Sequence, residues 1–381
     1  MEGILISAVA GDGEKRGMSD MDDYLKEQIF KKLPLISIFQ IRLVCKQWNE
    51  ILSSRKFLSS LPEQNPWLLI FGEDYCMSYC FSTKKWRAIS LSFLPPTLQN
   101  NFGLYMKSST ALGLLAFFKT HFDFFKKKPE LYLCNPLMRI CSRTEIWMTE
   151  NFYVVHGTNS EPYLLEEENK KSLKIYHYCQ DSWEIKHKFA KDLDLCPDEM
   201  VECKGVIFWR TSSPAIVDGF SMEVDCIKPV RMAPPPSQFV EDDYKTGTLF
   251  KSIVAYGSSV LLVTLRNEYG DEIEPLRMVI WELFEDKQDN SLWKWKELVR
   301  MSAHDSLPQV FRGDKRINEG ITVGNYLCLR FREPYSHLIV AYDLKKRIWQ
   351  ILPQSGRKDF TQMLSFGPKL IFPELLPILK E

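Results

Sequence analysis

The first region with a regular hydrophobic pattern is short and helical. Between Ser19 and about Leu61, apolar residues recur at the spacing of an amphipathic helix. Ser19 can cap the amino end of the first helix, and the aspartates that follow it suit the positive end of a helix dipole. Pro34 is predicted to end this helix. One face of the helix carries, at four-residue intervals, Leu25, Ile29 and Leu33.

A second hydrophobic stripe follows Pro34, with Arg42 and Lys46 largely on its other faces. The pattern predicts a helical hairpin or a unit of three helices, which is too small to be very stable alone. We therefore expect this unit to fold fully against a partner or against the rest of the chain. The stripe is spaced by three and four residues and consists of Ile38, Ile41, Cys45, Trp48 and Leu52.

From Pro66 onward the pattern changes to short β-rich runs that are separated by turns. A glycine flanked by strand-like sequence recurs six times in this region, at intervals of roughly 40 to 70 residues, close to the period of propeller blades. Such recurrence indicates an array of similar units. The six glycines are Gly72, Gly113, Gly157, Gly205, Gly257 and Gly324.

Several of these units end alike, with a strand, a polar turn and a tryptophan that enters the next strand. The segments are "CFSTKKWRAISL", "IYHYCQDSWEIKHKF", "SLWKWKELVRM" and "VAYDLKKRIWQILP". Two related segments, "LYLCNPLMRICSRT" and "AIVDGFSMEVDCI", have the turn without the tryptophan. We interpret each as a hairpin whose aromatic side chain covers a sheet face that a neighbouring sheet must bury.

A circular array of such sheets can close, whereas an open stack leaves exposed sheet edges. The C-terminal segment "SFGPKLIF", which contains Gly367, is predicted to supply a strand that completes the first unit. The predicted fold is therefore a small all-α module followed by an all-β propeller. We predict six blades, with seven as the alternative, because the long interval from Gly257 to Gly324 holds either long loops or a further blade. The predicted segments are a flexible leader 1–18, the helical module 19–61, a linker 62–66 and the propeller 67–376.

Composition removes several classes of partner. The chain is 45% hydrophobic and 13% aromatic, which is enough to bury a large core. Lysine plus arginine and aspartate plus glutamate each number 49, so no net field steers the chain toward nucleic acid or an anionic membrane. The longest apolar runs, such as "ALGLLAFF", are strand-sized. We expect neither a nucleic-acid partner nor a membrane span.

The cysteines and the N-terminus bear on the cellular compartment. The ten cysteines are scattered without a C-x-x-C pair, and the chain has no N-x-S/T sequon. This usage fits buried, reduced thiols better than a disulfide framework. The apolar run "ILISAVAG" follows Glu2 rather than a positive segment, so it does not fit a signal peptide. We expect the cytosol or the nucleus.

Motifs of enzyme chemistry are missing from the sequence. The six histidines belong to no H-E-x-x-H, and the chain has neither G-x-S-x-G nor a phosphate-binding glycine loop. On a strand, Cys76 and Cys80 would share one face, but no further ligands stand at a recognisable metal-site spacing. We interpret them as buried thiols. The sequence therefore predicts no catalytic residue, no metal and no cofactor.

The helical segment at residues 21–57, "MDDYLKEQIFKKLPLISIFQIRLVCKQWNEILSSRKF", resembles an F-box. The resemblance rests on the helix that ends at Leu33-Pro34, on the R-x-V-C-K-x-W block at 42–48 and on the apolar residues that follow to Phe57. The downstream units, in phrases such as "CNPLMRICSRT" and "YDLKKRIWQILP", resemble the kelch-like, F-box-associated repeats of plant F-box proteins.

Two positions depart from the family pattern. F-boxes usually open with Leu-Pro, where this chain has Met21-Asp22. An aliphatic residue usually stands two positions before Gln28, where this chain has Lys26. Asp22 and Lys26 are therefore the two positions at which weakened adaptor binding is to be tested.

The resemblance implies an adaptor function without bond chemistry in this chain. F-box proteins dock this module onto a Skp-type adaptor that sits on a cullin, while the C-terminal domain holds a protein substrate for ubiquitin transfer by other subunits. The substrate and the loops that bind it are not identified by the sequence. The resemblance implies that Arg42, Cys45 and Trp48 are shared between the core and the surface, and that the adaptor-binding residues are Leu25, Ile29, Phe30, Leu33, Pro34, Ile38, Arg42, Val44, Cys45 and Trp48.

Two other functions are left open by the residues. The first is an F-box scaffold that works outside the ligase, for example by recruiting a transcription factor, and copurification with the adaptor separates it from the ligase subunit. The second is a propeller enzyme with an incidental helical leader, because function resides in sites rather than in folds. Catalytic activity or bound metal in the purified protein would identify this case.

Overall fold

The structure, a computed structural model, divides the chain into two compact units, Met1–Glu63 and Gln64–Glu381. The predicted leader, Ser19 and Pro34 lie outside the residues that the structure describes. Those residues are 22–33, 35–42, 44–61, 65–72, 75–99, 105–109, 114–119, 130–137, 139–145, 152–156, 162–168, 172–179, 182–190, 200–204, 206–210, 217–223, 226–229, 231–232, 247–267, 277–286, 288, 292–302, 316–332, 337–356 and 362–367.

The described residues of the first unit form four short helices. They are α1 (Asp23–Lys31), α2 (Leu35–Ile41), α3 (Lys46–Ser53) and α4 (Arg55–Ser59). Helix α3 is central, since it contacts each of the other three. The side chains that fill the core of the unit are Phe30, Leu35, Ile38, Leu52, Phe57 and Leu58.

Helix caps explain why the predicted stripe from Ile38 to Leu52 is interrupted. Cys45 has extended backbone angles, and its Sγ accepts a hydrogen bond from the backbone N–H of Trp48 at 3.5 Å. Cys45 thus starts a new helix instead of continuing α2. Cys45 is exposed, so it does not lie in the core with Ile38 and Leu52. Ser54 likewise caps α4, accepting from the backbone N–H of Phe57 at 3.2 Å.

In the part of the chain that the structure describes, the second unit contains 25 strands and one short helix, α5 (Pro96–Gln99). The strands are β1 (Trp67–Phe71), β2 (Cys76–Cys80), β3 (Lys85–Ile89), β4 (Tyr105–Ser109), β5 (Leu114–Lys119), β6 (Glu130–Asn135), β7 (Ile140–Glu145), β8 (Phe152–His156), β9 (Pro162–Glu168), β10 (Ser172–Cys179), β11 (Ser182–Ala190), β12 (Met200–Cys203), β13 (Val206–Arg210), β14 (Val217–Glu223), β15 (Cys226–Pro229), β16 (Arg231–Met232), β17 (Gly247–Tyr256), β18 (Ser259–Asn267), β19 (Arg277–Glu285), β20 (Leu292–Ser302), β21 (Arg316–Val323), β22 (Tyr326–Arg332), β23 (His337–Asp343), β24 (Ile348–Ile351) and β25 (Gln362–Phe366).

These strands form six sheets, which we number as blades. Blade 1 has the order β25-β1-β2-β3, and blades 2 to 4 follow as β4 to β7, β8 to β11 and β12 to β15. Blade 5 contains β17 to β20 and blade 6 contains β21 to β24. Within each blade neighbouring strands are antiparallel, and the short β16 pairs in parallel with the outer edge of blade 5.

The six blades close into a ring. The first strand of every blade contacts the first strands of the two neighbouring blades, in the cycle β25, β4, β8, β12, β17, β21 and back to β25. Apolar clusters fill the space between consecutive blades, for example with Val206 and Phe208 of blade 4 against Ile253 and Val260 of blade 5. The six-bladed propeller that the repeats predicted is confirmed.

The ring is closed by the C-terminal strand. β25 pairs with β1 in antiparallel register, with Trp67 opposite Phe366. The carboxylate of Glu319, on the first strand of blade 6, accepts from the backbone N–H of Met363 on β25 at 3.1 and 3.2 Å. The prediction that the segment near Gly367 completes the first blade is confirmed, although the strand begins three residues before that segment, at Gln362.

This closure also explains the phase of the glycine repeat. Gly257 and Gly324 have φ of 56° and 59° and lie in two-residue turns between the first and second strands of their blades. Gly72 instead follows the second strand of blade 1, because β25 supplies the first. Gly113, Gly157 and Gly205 lie outside the described residues.

The tryptophan hairpins are the outer hairpins of the blades, formed by the third and fourth strands. Trp86 pairs with Tyr79 at 5.0 Å between ring centroids, and Trp349 pairs with Tyr342 at 4.7 Å in the equivalent place of blade 6. The prediction of a strand, a turn and a tryptophan that opens the next strand is confirmed at both.

One pair of cysteines differs from the expectation of reduced thiols. Cys134 and Cys141 face each other in the outer hairpin of blade 2, and a disulfide bond joins them. They occupy the position that the tyrosine and tryptophan hold in blades 1 and 6, because β-sheet register sets them directly opposite each other. Cys76 and Cys80 are free, the first buried and the second partly exposed. Among the described residues, no helix is long and apolar enough to cross a membrane.

Candidate partner-binding site

Helix α1 carries its apolar residues on two different faces. Phe30 and Lys26 are buried, each with 1% of its surface exposed. Leu25 and Ile29 are one turn apart on another face and are 50% and 39% exposed. The four-residue spacing therefore marks an exposed stripe rather than the core of the unit.

Exposed apolar side chains are concentrated in this unit. Among the described residues, the large hydrophobic side chains left exposed outside it are Ile348 and Ile351. The four within it are Tyr24, Leu25, Ile29 and Val44, which we name the apolar surface of the helical unit. Large apolar side chains exposed on a small domain are typical of protein-binding surfaces.

Lys26 lies inside the unit, where the family pattern has an aliphatic residue. Its Nζ lies 3.1 Å from Oδ1 of Asp23, one turn earlier on α1. The same oxygen accepts from Nε2 of Gln47 on α3 at 2.9 Å. Asp23 therefore joins α1 to α3, and the methylene stem of Lys26 fills the buried position while its charge is paired.

A second charged contact joins the first and last helices. Glu27 accepts from Nζ of Lys31 at 2.8 Å, and Nζ of Lys56 on α4 lies 4.0 Å from its other oxygen. The hydrogen bond from Lys31 holds the pKa of Glu27 below its ordinary value. Glu27 is thus a carboxylate at neutral pH.

Several predicted adaptor-binding residues belong to the core of the unit. Phe30 packs edge to face against Trp48, with ring centroids 5.1 Å apart, and Ile38 is 1% exposed. Leu33 and Trp48 are half-buried. These side chains shape the module from within and present little surface to a partner. The prediction of their direct contact with the adaptor stays a prediction.

Arg42 is half-buried at the end of α2. Its Nε donates to Oδ1 of Asn49 on α3 at 3.0 Å, and burial lowers the pKa of its guanidinium. The contact ties the two helices across the loop that carries Val44 and Cys45, both exposed. Pro34 lies outside the described residues.

The sequence prediction omitted Tyr24, which is 60% exposed on α1 beside Leu25. Its position outside the four-residue spacing concealed it. A large aromatic in the first turn of a helix, next to two aspartates, was the available signal. Aromatic side chains with a polar tip are enriched at protein interfaces.

The second unit offers no comparable cluster of reactive groups. In the part of the chain that the structure describes, no three histidine, cysteine or acidic side chains are grouped as metal ligands. The free thiols of Cys76 and Cys328 are buried, and burial raises the pKa of each well above its ordinary range. These two thiols are packing residues.

The first unit matches a known domain family, and the whole chain is similar to known plant proteins. The family profile of the F-box domain matches residues 18–60. The chain is 22% identical to F-box only protein 6 of Arabidopsis thaliana over 364 residues, which cover 91% of this chain and 72% of that protein. It is 20% identical to the putative F-box/kelch-repeat protein At1g12170 of the same plant, over 67% of this chain and 77% of that protein.

Another Arabidopsis thaliana protein, F-box/kelch-repeat protein At3g61590, is 31% identical over 31% of this chain and 28% of its own length. Among solved structures, TolB from Acinetobacter baumannii matches with a TM-score of 0.44 and 9% identity, over 85% of this chain and 71% of that chain. The WD40 domain of SCAP from fission yeast matches with a TM-score of 0.37 and 10% identity, over 81% and 86%. Residues 18–60 therefore match the F-box domain, and the chain as a whole is similar to plant F-box and F-box/kelch-repeat proteins.

Proposed function

We propose that the chain is the substrate receptor of a Skp-cullin-F-box ubiquitin ligase. The F-box unit docks a Skp-type adaptor, the adaptor joins it to a cullin, and the propeller recruits a protein substrate for ubiquitination and degradation. The observation that carries the proposal is the apolar surface of Tyr24, Leu25, Ile29 and Val44 on a unit that matches the F-box domain.

The division of the chain supports this role. An F-box unit of about 40 residues buries a small core and leaves apolar side chains in water, a state that a partner stabilises. The propeller is a closed ring that holds its loops on a rigid frame, which suits recognition without chemistry. Ubiquitin transfer then belongs to other subunits, and the cytosol or the nucleus is the compartment that we propose.

The test is the affinity of the full chain for a purified plant Skp-type adaptor, measured by calorimetry. Leu25→Asp and Ile29→Asp place a charge on the apolar surface without disturbing the core, because both side chains are exposed. We expect each to weaken binding by at least about 30-fold, since a desolvated apolar anchor contributes about 2 kcal/mol or more.

The matched control is Ile348→Asp, because Ile348 is a similarly exposed apolar residue on the propeller. It should bind the adaptor like the wild type. Equal loss in all three variants would show a general effect of the charge. Wild-type protein that is folded and does not bind the adaptor would refute the ligase role and favour a scaffold outside the ligase.

A further inference from the structure

Four residues other than glycine have positive φ in the described part of the chain, and each is a lysine or an arginine. They are Lys84 (55°), Arg139 (56°), Lys204 (53°) and Arg347 (59°). Glycine adopts this conformation without steric cost, and Gly257 and Gly324 do so in other turns of the same propeller. Long cationic side chains at these strained positions point to a role for their charge.

Three of these four turns lie on consecutive blades. Arg347, Lys84 and Arg139 are in the outer hairpins of blades 6, 1 and 2, which are neighbours in the ring. Trp86 Nε1 donates to the backbone oxygen of Pro353 at 2.6 Å, joining blade 1 to blade 6. Arg139 donates to Ser92 Oγ at 2.8 Å, joining blade 2 to the end of blade 1.

Further exposed cations lie in the outer hairpins of blades 1 and 6, beside Lys84 and Arg347 in the sequence. In the part of the chain that the structure describes, no ion pair joins Arg347, Lys84 or Arg139 to a carboxylate. Lys204 is different, because its Nζ lies 3.0 Å from Glu285 of blade 5. The cationic turns are defined by Lys84, Lys85, Arg87, Arg139, Lys345, Lys346 and Arg347, all exposed.

Hydrogen bonds to a side chain and within the backbone hold the turns in place. Asp343 is buried at the start of the blade 6 turn and accepts from the backbone N–H of Lys345 and Lys346 at 3.0 and 2.9 Å. In blade 1 the N–H of Lys84 donates to the carbonyl of Cys80 at 2.8 Å. The carboxylate of Asp343 is used inside its turn, so the lysine ammonium groups face solvent on a fixed frame.

We propose that the cationic turns of blades 6, 1 and 2 bind an acidic segment of the protein that the propeller recruits. The inference rests on the proposed receptor function and names the substrate class. A peptide fits better than a nucleic acid, since the neighbouring aromatic rings are already occupied. Phe81 stacks on Tyr326 at 4.0 Å and Trp86 packs on Tyr79, so each of these rings already has an aromatic partner within the protein and is not a free platform for a base.

The test is fluorescence polarisation of the full chain with a twelve-residue peptide of Asp and Glu, against the same peptide with Asn and Gln. The variant Lys85→Glu/Lys346→Glu reverses one charge on each of two blades. We expect it to bind the acidic peptide at least tenfold more weakly than the wild type at low salt, with a shallower salt dependence. The control Lys296→Glu reverses an exposed charge on blade 5 and should bind within twofold of the wild type.

A second variant separates charge from folding. Arg347→Gly removes a cation and at the same time removes the steric strain of a side chain at positive φ. We expect an unchanged or higher Tm together with weaker peptide binding. Equal binding by the double variant and the wild type, or tighter binding of single-stranded RNA than of the acidic peptide, would overturn the proposal.

The same samples are then tested for adaptor binding. If the chain binds the adaptor but does not discriminate between the acidic and neutral peptides, only the proposal about the cationic turns is refuted. If the folded wild type does not bind the adaptor, the receptor function itself is refuted. The two failures are therefore distinguishable.

Discussion

Lys26 is one of the two positions at which the helical unit departs from the family pattern, and its place in the core changes the meaning of that departure. The sequence suggested a defect in adaptor binding. The side chain is instead buried within the unit and paired with Asp23, so it bears on stability more than on docking. Sequence spacing could not show this, because a helix with apolar residues on two faces has two candidate cores.

We expect Lys26→Met to leave stability unchanged or to raise it, since an apolar side chain of similar volume removes the desolvation cost of the ammonium. Asp23→Asn should destabilise the unit by about 1 to 2 kcal/mol, because the buried ammonium loses its carboxylate and the pair is only partly shielded from water. Hydrogen exchange of α1 and α3 in the full chain measures both. Lower protection in Lys26→Met than in Asp23→Asn would contradict this account.

The sequence did not separate the surface residues of the helical unit from its core residues. The ten predicted adaptor-binding residues include exposed ones, such as Leu25 and Val44, and core ones, such as Phe30 and Ile38. A module this small uses similar residues for its core and for its surface. Only solvent exposure in the folded unit separates the two sets, and it also reveals Tyr24.

At the scale of elements, the outer hairpins were the most predictable feature. An alternating pattern, a polar turn and a tryptophan identify Trp86 and Trp349 as equivalent residues, and each packs on a tyrosine across the strand pair. Blade 2 has Cys134 and Cys141 instead. Their seven-residue separation gave no sign of pairing until the register of β6 and β7 was known.

The disulfide should stabilise the outer hairpin of blade 2. Closing so short a loop is expected to contribute about 2 kcal/mol. We expect a reductant to lower the Tm of the wild type, as measured by thermal unfolding. The variant Cys134→Ser/Cys141→Ser should have the lower Tm already and should not respond to the reductant. A wild type that is equally insensitive would argue that the two thiols are unbonded in solution.

At the scale of the molecule, the period of the repeats predicted the number of blades but not their phase. The second strand of blade 1 comes first in the chain, and its inner partner comes from the C-terminus. Spacing between glycines carries no information on pairing between residues so far apart. The contact of Glu319 with Met363 at the closure was likewise invisible in the sequence.

Glu319 tests the importance of this closure. Glu319→Gln keeps the shape of the side chain but removes the charge that faces Met363 N–H and, at 3.6 Å, Arg330 Nε. We expect the free energy of unfolding of the propeller to fall by about 1 to 2 kcal/mol, as measured by denaturant unfolding followed by tryptophan fluorescence. The matched control is Glu297→Gln, which breaks a surface pair with Arg300 and should cost less than about 0.5 kcal/mol. Equal losses of unfolding free energy in the two variants would show that the closure contact stabilises the propeller no more than a surface ion pair does.

The central claim is that the F-box unit links the propeller to a cullin through an adaptor. Gel filtration of the full chain with a plant Skp-type adaptor and a cullin tests it most directly. We expect the chain to coelute with the cullin when the adaptor is present and to separate from it when the adaptor is omitted or when Leu25 is replaced by Asp. A folded chain that elutes apart from the cullin in the presence of the adaptor would contradict the receptor function.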